Sequence, residues 1–273
     1  MKIGVANSRP VAVIDGEVFE LRGYVEFDPR IGLASLLDQV ANLEVGDRIK
    51  GDVDFQAPLP MPSQVFAVGL NYRRHALEMG LQLPTRPMIF TKFPSCVGAP
   101  NTQIAIPADT TDWEAELVVV IGRTARNIPV ADAPQYVAGY MVGQDISERT
   151  MQMANSPAQF SLGKSYSNFA PMGPYLTTAD EIIDPQNLMI TCSLNGEVMQ
   201  NESTADMAFG VYEIISYISN VCELRSGDLI FTGSPAGVGQ GQHPPRFLAP
   251  GDVLVTTIED LGSIRNEFVK GSE

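Results

Sequence analysis

Asp112-Trp-Glu-Ala-Glu-Leu-Val-Val-Val-Ile-Gly122 is the stretch whose reading decides the fold and the chemistry. Leu117 to Ile121 is a strongly β-forming run closed by a glycine, which predicts a strand. Glu114 and Glu116 stand two apart at its entry, so both carboxylates point to one face, with Ala115 and Leu117 on the other. Two carboxylates about 7 Å apart along a strand repel unless water solvates them or a cation lies between them. A solvated strand face and a site for a hard divalent ion with oxygen ligands are both open readings of this pair. A third carboxylate is needed to separate them.

Asp145 is the candidate, in Gly139-Tyr-Met-Val-Gly-Gln-Asp-Ile-Ser-Glu-Arg149. An apolar stretch ends there in a polar cluster, as where a buried strand opens into a site. The same Asp also suits an N-cap for a following helical turn. His75 and Glu78 lie in Gly69-Leu-Asn-Tyr-Arg-Arg-His-Ala-Leu-Glu-Met-Gly80. If this segment is helical, positions i and i+3 share a face. A carboxylate accepting a His N–H fixes the tautomer and raises the basicity of the ring, giving a general base near neutral pH. The bland alternative is a surface helix with ordinary polar residues. Lys164 sits in a Gly/Ser/Pro-rich segment, Phe160 to Pro174, where a lysine either holds an anion or is solvated. Gly227 to Gly239 places a strand before a Gly-rich loop whose amides suit an anion. No helix pattern follows these glycines, and Pro244, Pro245 and Pro250 come next, which argues against a dinucleotide fingerprint.

The rest of the chain is strand-rich. Short apolar runs at 3–6, 11–14 and 18–21 predict a meander, and Leu33 to Leu43 carries the spacing of a brief helix. Asp52 to Pro62 holds three prolines and reads as a linker, with a boundary near residue 60. Further strands are expected at 65–68, 88–91, 188–194, 229–232 and 253–258. Short helices are expected at Tyr72 to Met79 and after Asp132, and a longer one at Asp206 to Cys222, capped by Thr204 or Asp206. Strands and helices do not alternate regularly, which argues against a doubly wound parallel sheet.

Composition narrows the partners. The 273 residues hold 18 Lys+Arg and 32 Asp+Glu, a formal charge of −14 with no basic cluster, which argues against nucleic acid. Three widely spaced cysteines exclude a disulfide framework and a thiolate zinc site, and suit a reducing compartment. With two histidines a His-rich zinc site is unavailable. No apolar run is long enough to span a membrane as a helix or to act as a signal peptide, and a cytosolic location is expected.

From about residue 64 to the C-terminus the chain resembles the fumarylacetoacetate hydrolase family, specifically its small acylpyruvate hydrolase and oxaloacetate decarboxylase-like members. The matching segments, in family order, are GLNYRRHALEMG, PMIFTKFPS, DWEAELVVVIG, YVAGYMVGQDISERTMQ, LGKSYSNFAPMGP, LNGEVMQ, LRSGDLIFTGSPAGVG and LAPGDVL. The resemblance implies a β-rich α+β protein. Its catalytic domain, residues 61–273, would be a mixed β-sandwich roll, and residues 1–60 a small N-terminal α+β domain. It further implies a homodimer and one Mg²⁺ or Mn²⁺ per chain, held by Glu114, Glu116 and Asp145. His75 and Glu78 on a lid helix would be the water-activating dyad, and Lys164 would stabilise the substrate carboxylate or an enolate. Arg149, Gln152 and Thr232 fall where the family contacts substrate. The departures are Gln144, Thr150, Ser167 and Ser234, where many members have Asn, Asp, Asp and Thr; they bear on the substrate pocket.

The expected reaction is hydrolysis of the carbon–carbon bond of a 2,4-dioxo acid, an acylpyruvate or fumarylacetoacetate-like substrate, through an enolate. The alternatives are an oxaloacetate decarboxylase or tautomerase, or an isomerase or hydratase of an unsaturated 2-oxo acid from aromatic catabolism. A binding protein that keeps the cation for stability alone is a third class.

Overall fold

Strand-forming runs bounded by turn residues dominate the chain, and the computed structural model, which describes residues 1–22 and 27–271, gathers them into two large sheets and a two-stranded pair, Thr111–Asp112 with Ser147–Glu148. The larger sheet is centred on Ala115–Ile121, every residue of which is buried. This strand pairs antiparallel with Val137–Gln144 on one side and Leu229–Phe231 on the other. Beyond Leu229–Phe231 the sheet continues through Val65–Gly69, in parallel, to Met88–Thr91. Beyond Val137–Gln144 it continues through Ala170–Thr178 to Lys2–Ala6. A strand buried on both faces has no polar side to show, which is why 117–121 reads as one unbroken apolar run.

The smaller sheet runs Glu197–Ser203, Met189–Leu194, Val253–Ile258, Gly262–Lys270, Asn101–Ile106. In Val253–Ile258 buried and half-buried residues alternate, the signature of a sheet with one packed face. The two layers share one continuous apolar core, to which Leu117, Val119, Leu194, Leu254 and Ile264 belong. Gln144 reaches across, its amide donating to Thr256 Oγ1 at 2.7 Å. The β-rich architecture with few helices is the one expected from the sequence.

The first sixty residues extend the main sheet rather than forming a sheet of their own. Arg9–Ile14, Glu17–Arg22 and Glu44–Arg48 add successively to Lys2–Ala6. The brief helix expected at 33–43 is two 3₁₀ turns, Gly32–Ser35 and Leu37–Asn42. The proline-rich segment read as a linker is packed in place. Phe55–Gln56 pairs with Lys2–Ala6, and the Leu33 amide donates to the Pro58 carbonyl at 2.8 Å.

Three α-helices occur among the described residues: α1 (Arg73–Glu78), α2 (Arg149–Gln152) and α3 (Val211–Ser219). Helix α3 buries Val211, Ile214, Ile215 and Ile218, the apolar face read from the sequence. It starts later than 206, and neither Thr204 nor Asp206 caps it. Met207 bridges antiparallel to Tyr72, and the Ala208 amide donates to the Asn71 carbonyl, so 207–208 is held extended. The Glu213 carboxylate instead accepts the Gly210 N–H at 2.8 Å. After Asp132 the turn is 3₁₀, spanning Val130–Tyr136.

One glycine sets how closely the central strands approach. A methyl at Gly139 would lie 2.1 Å from the Thr177 carbonyl oxygen, inside the pairing of Val137–Gln144 with Ala170–Thr178. Gly139→Ala is expected to destabilise the protein by about 1–3 kcal/mol, as overpacking of a close contact does. Urea unfolding should show the midpoint falling with the slope unchanged.

Candidate active site

The strand pair that centres the sheet also brings the carboxylates together. Ala115 lies opposite Gln144, and one step further the Asp145 amide donates to the Glu114 carbonyl at 2.8 Å. Glu114 and Asp145 therefore leave the sheet side by side, and Glu116 follows on the same face two residues along. Carboxylate oxygens of Glu114, Glu116 and Asp145 all lie within 4.8 Å of one another, and all three residues are buried. Gln144 steadies the turn by accepting the Glu114 N–H at 2.9 Å. The capping role open to Asp145 belongs to Glu148, which accepts the Thr150 and Met151 amides at the start of α2.

Three cations face these acids. Lys164 Nζ donates to Glu114 Oε2 at 2.8 Å, Asp145 Oδ2 at 2.7 Å and Ser147 Oγ at 2.7 Å. Lys92, fully buried, approaches Asp145 Oδ1 to 2.5 Å and also donates to the Lys164 carbonyl. Arg149 contacts Glu114 Oε1 at 2.6 Å and Gln152 Oε1 at 2.9 Å. Its other nitrogens, Nε and Nη2, donate to Asp112 Oδ2 at 2.8 and 2.7 Å. Burial pushes the Glu114 carboxyl up, but Lys164 and Arg149 outweigh it and hold the group at about 2. Glu116 has no such partner. Burial, then Asp145 and Glu114, raise it well above the carboxylate range, against Lys164 and a single 2.7 Å hydrogen bond from the Gly233 amide. Burial disfavours the Lys164 ammonium, yet Asp145 and Glu114 prevail and raise its pKa.

His75 and Glu78 meet on α1, with Nδ1 3.0 Å from Glu78 Oε2. The second oxygen, Oε1, accepts the Gly237 amide at 2.9 Å, which seats the helix on the Gly-rich loop. That loop has no room for side chains here, since a methyl at Gly241 would lie 2.5 Å from Glu78 Cδ. His75, Glu114, Arg149, Gln152, Lys164 and Ser234 all line one cavity of about 160 Å³. Its remaining wall is largely apolar, with Leu81, Met88, Phe90, Met153 and Phe160 prominent.

The structure thus gathers Glu114, Glu116, Asp145, His75, Glu78, Lys164, Arg149 and Gln152 in and around one place. Thr232 is not brought to the cavity: its hydroxyl donates to the Leu117 carbonyl at 2.8 Å and is wholly buried in the sheet. Ser234, two residues along the same loop, lines the cavity instead. Sequence reasoning missed Lys92 and Asp112. Asp112 carried a signal, because 112, 114 and 116 share one strand phase. Lys92 carried none beyond its place at the end of a strand.

Three buried carboxylates, one of them without a cationic partner, are a donor set suited to a hard divalent cation with oxygen ligands. A His–Glu dyad stands over the same cavity, so the β-rich fold carries the arrangement of an enzyme active site. The chain belongs to the fumarylacetoacetate hydrolase family: residues 64–269 match the family profile described as fumarylacetoacetate (FAA) hydrolase C-terminal. Among its relatives is the mitochondrial oxaloacetate tautomerase FAHD2A of Bos taurus, 43% identical over 222 residues, 81% of this chain and 71% of the relative. Among solved structures, a Mycobacterium smegmatis protein described as HpcE is 41% identical over all of both chains, with a TM-score of 0.91. The maleylpyruvate hydrolase of Sphingobium sp. SYK-6, solved with manganese(II) and pyruvate, is 26% identical over all of both chains, with a TM-score of 0.80.

The raised Glu116 carboxyl has a consequence for cation binding. It keeps its proton to higher pH than a free carboxyl, and an incoming cation must displace that proton. Affinity for Mn²⁺ should therefore tighten as pH rises until Glu116 has ionised. Calorimetric titration in two buffers of different ionisation enthalpy should detect proton release. Glu116→Gln should abolish that release and weaken binding by more than the roughly 10–100-fold lost with an outer partner of a metal ligand.

Proposed function

We propose that the protein is a divalent-cation-dependent enzyme that forms the enolate of a 2-oxo acid, interconverting the keto and enol forms of oxaloacetate or a close analogue. The observation that carries this reading is the placement of His75, with Glu78 behind it, on the wall of the same cavity as Glu114, Arg149 and Lys164. Oxaloacetate is favoured because relatives above 40% identity are named as its tautomerases.

Glu114, Glu116 and Asp145 would hold Mg²⁺ or Mn²⁺, whose contribution when bound is to polarise the 2-oxo group as a Lewis acid. A carboxylate can only accept, so Glu78 fixes the His75 proton on Nδ1 and leaves Nε2 as the free base. Nε2 takes a proton from C3 of the substrate, and the C–H electron pair moves into the C2–C3 bond as charge develops on the 2-oxo oxygen. Return of a proton to that oxygen gives the enol; return to C3 gives the ketone. Lys164 and Arg149 supply the positive charge that receives the substrate carboxylate and the developing oxyanion.

A second reading, hydrolysis of an acylpyruvate, is favoured by the apolar wall. Leu81, Met88, Phe90, Met153 and Phe160 suit an uncharged acyl arm. His75 would then deprotonate water, hydroxide would add to the distal carbonyl, and the C3–C4 bond would break with its pair passing to pyruvate enolate. The products would be a carboxylic acid and pyruvate. Assembly as a homodimer and a cytosolic location belong to the same proposal, the first open to a sedimentation measurement.

Solvent deuterium exchange at C3 tests the common step. Mn²⁺-loaded protein should exchange C3 of oxaloacetate, followed by NMR, and His75→Ala should slow this by about 10²–10⁴, the range for a general base. Absence of exchange with oxaloacetate and with pyruvate alike would refute the reading. Pyruvate release from acetylpyruvate but no enol–keto conversion of oxaloacetate would favour the second.

A further inference from the structure

Asp112 is fully buried and its side chain touches neither the cavity nor the carboxylate cluster. Each of its oxygens is nonetheless engaged. Oδ2 accepts Arg149 Nε and Nη2 at 2.8 and 2.7 Å and the Gln240 amide at 3.0 Å. Oδ1 accepts the Gly239 amide at 2.7 Å and its neighbour's amide, Trp113, at 2.8 Å. The approach to the loop needs glycine, since a methyl at 239 would lie 2.6 Å from Oδ1. Trp113 adds a tether from the next position, its indole N–H reaching the Gly237 carbonyl at 3.0 Å. The amide of that same Gly237 holds Glu78.

A connected path therefore runs from Arg149 through Asp112 to the Gly237–Gly241 loop, and from the loop through Glu78 to His75. We propose that Asp112 is a positioning residue: it fixes the loop that seats the His75–Glu78 dyad in register with the guanidinium that faces Glu114 and the cavity. One carboxylate thus sets both the cationic wall and the base opposite it. No group needs to change charge for this, and the coupling passes through hydrogen bonds of ordinary length. The effect on turnover rests on the base role proposed for His75; the effect on α1 does not.

Two measurements on the full-length, Mn²⁺-loaded chain test the proposal. In Asp112→Asn, amide hydrogen exchange across residues 73–80 should accelerate by roughly tenfold or more although Asp112 touches none of them. Asp228→Asn, which removes another buried carboxylate that binds turn amides, should leave 73–80 protected. In a double-mutant cycle, Asp112→Asn combined with Glu78→Gln should lose less than the product of the two single losses, because both act on the dyad while Asp112 also holds Arg149. Should Asp112→Asn fail to fold, Trp113→Phe removes the neighbouring tether and should loosen 237–241 and 73–80 together. Unchanged exchange at 73–80 in the folded variant, or rate losses that multiply, would overturn the proposal. If His75→Ala kept full activity while exchange at 73–80 still rose, the base role would fail and the positioning role would stand.

Discussion

Four carboxylates taken out of water where two strand pairs meet, Ala115–Ile121 with Val137–Gln144 and Thr111–Asp112 with Ser147–Glu148, are the constraint that the rest of the structure answers. Glu114, Glu116, Asp145 and Asp112 are all buried, and ionised carboxylates in such surroundings are tolerable only when paired. Lys92, Lys164 and Arg149 are buried with them. Each is aimed by a different piece of chain: the end of a strand, a 3₁₀ turn and the short helix α2. Gly163 permits one of these approaches, because a methyl there would lie 2.6 Å from the Gln152 backbone nitrogen, between the turn carrying Lys164 and the helix carrying Arg149. The strand pairs fix the acids and the loops deliver the cations.

That division explains what could be read from the sequence. Period-two spacing put Glu114 and Glu116 on one face, and i,i+3 spacing put His75 beside Glu78, because both rules act over a few residues. The E-x-E pair could not distinguish solvent from a site, since burial depends on what packs above it. Asp145 could not be assigned between cap and cluster until Glu148 was seen capping α2. The family resemblance joined these fragments into one site, and also carried Thr232 with them. There the local backbone decided otherwise, because the hydroxyl satisfies the Leu117 carbonyl inside the sheet.

The errors in the fold have the same origin. Asp206 to Cys222 carries helical spacing throughout, but Asn71 claims residues 208 and 209 through three hydrogen bonds, and the helix starts only after Gly210. The three prolines of 52–62 break helices as expected, yet Pro58 and Pro60 lie against Gly32, and the Pro58 carbonyl accepts the Leu33 amide. Prolines identify where regular structure stops; they do not say whether the chain there is loose.

Charge balance links this site to the substrates it can accept. Fully ionised, four buried carboxylates against three cations would leave one negative charge; Glu116, the acid without a cationic partner, instead holds its proton until a cation displaces it. A divalent cation among Glu114, Glu116 and Asp145 would turn that balance to one positive charge, which a single substrate carboxylate neutralises. Anion affinity would thus follow from cation binding, and the 2-oxo acid would be the second ligand to enter. A second carboxylate on the substrate would find Leu81, Met88, Phe90 and Phe160 along the wall and no further cation lining it among the described residues. It would have to lie toward the solvent-facing side, where Met153 and Leu81 are exposed, and keep its water there. An uncharged arm faces no such demand, and this difference in desolvation, rather than any difference in the dyad or the carboxylates, separates the two readings of the reaction.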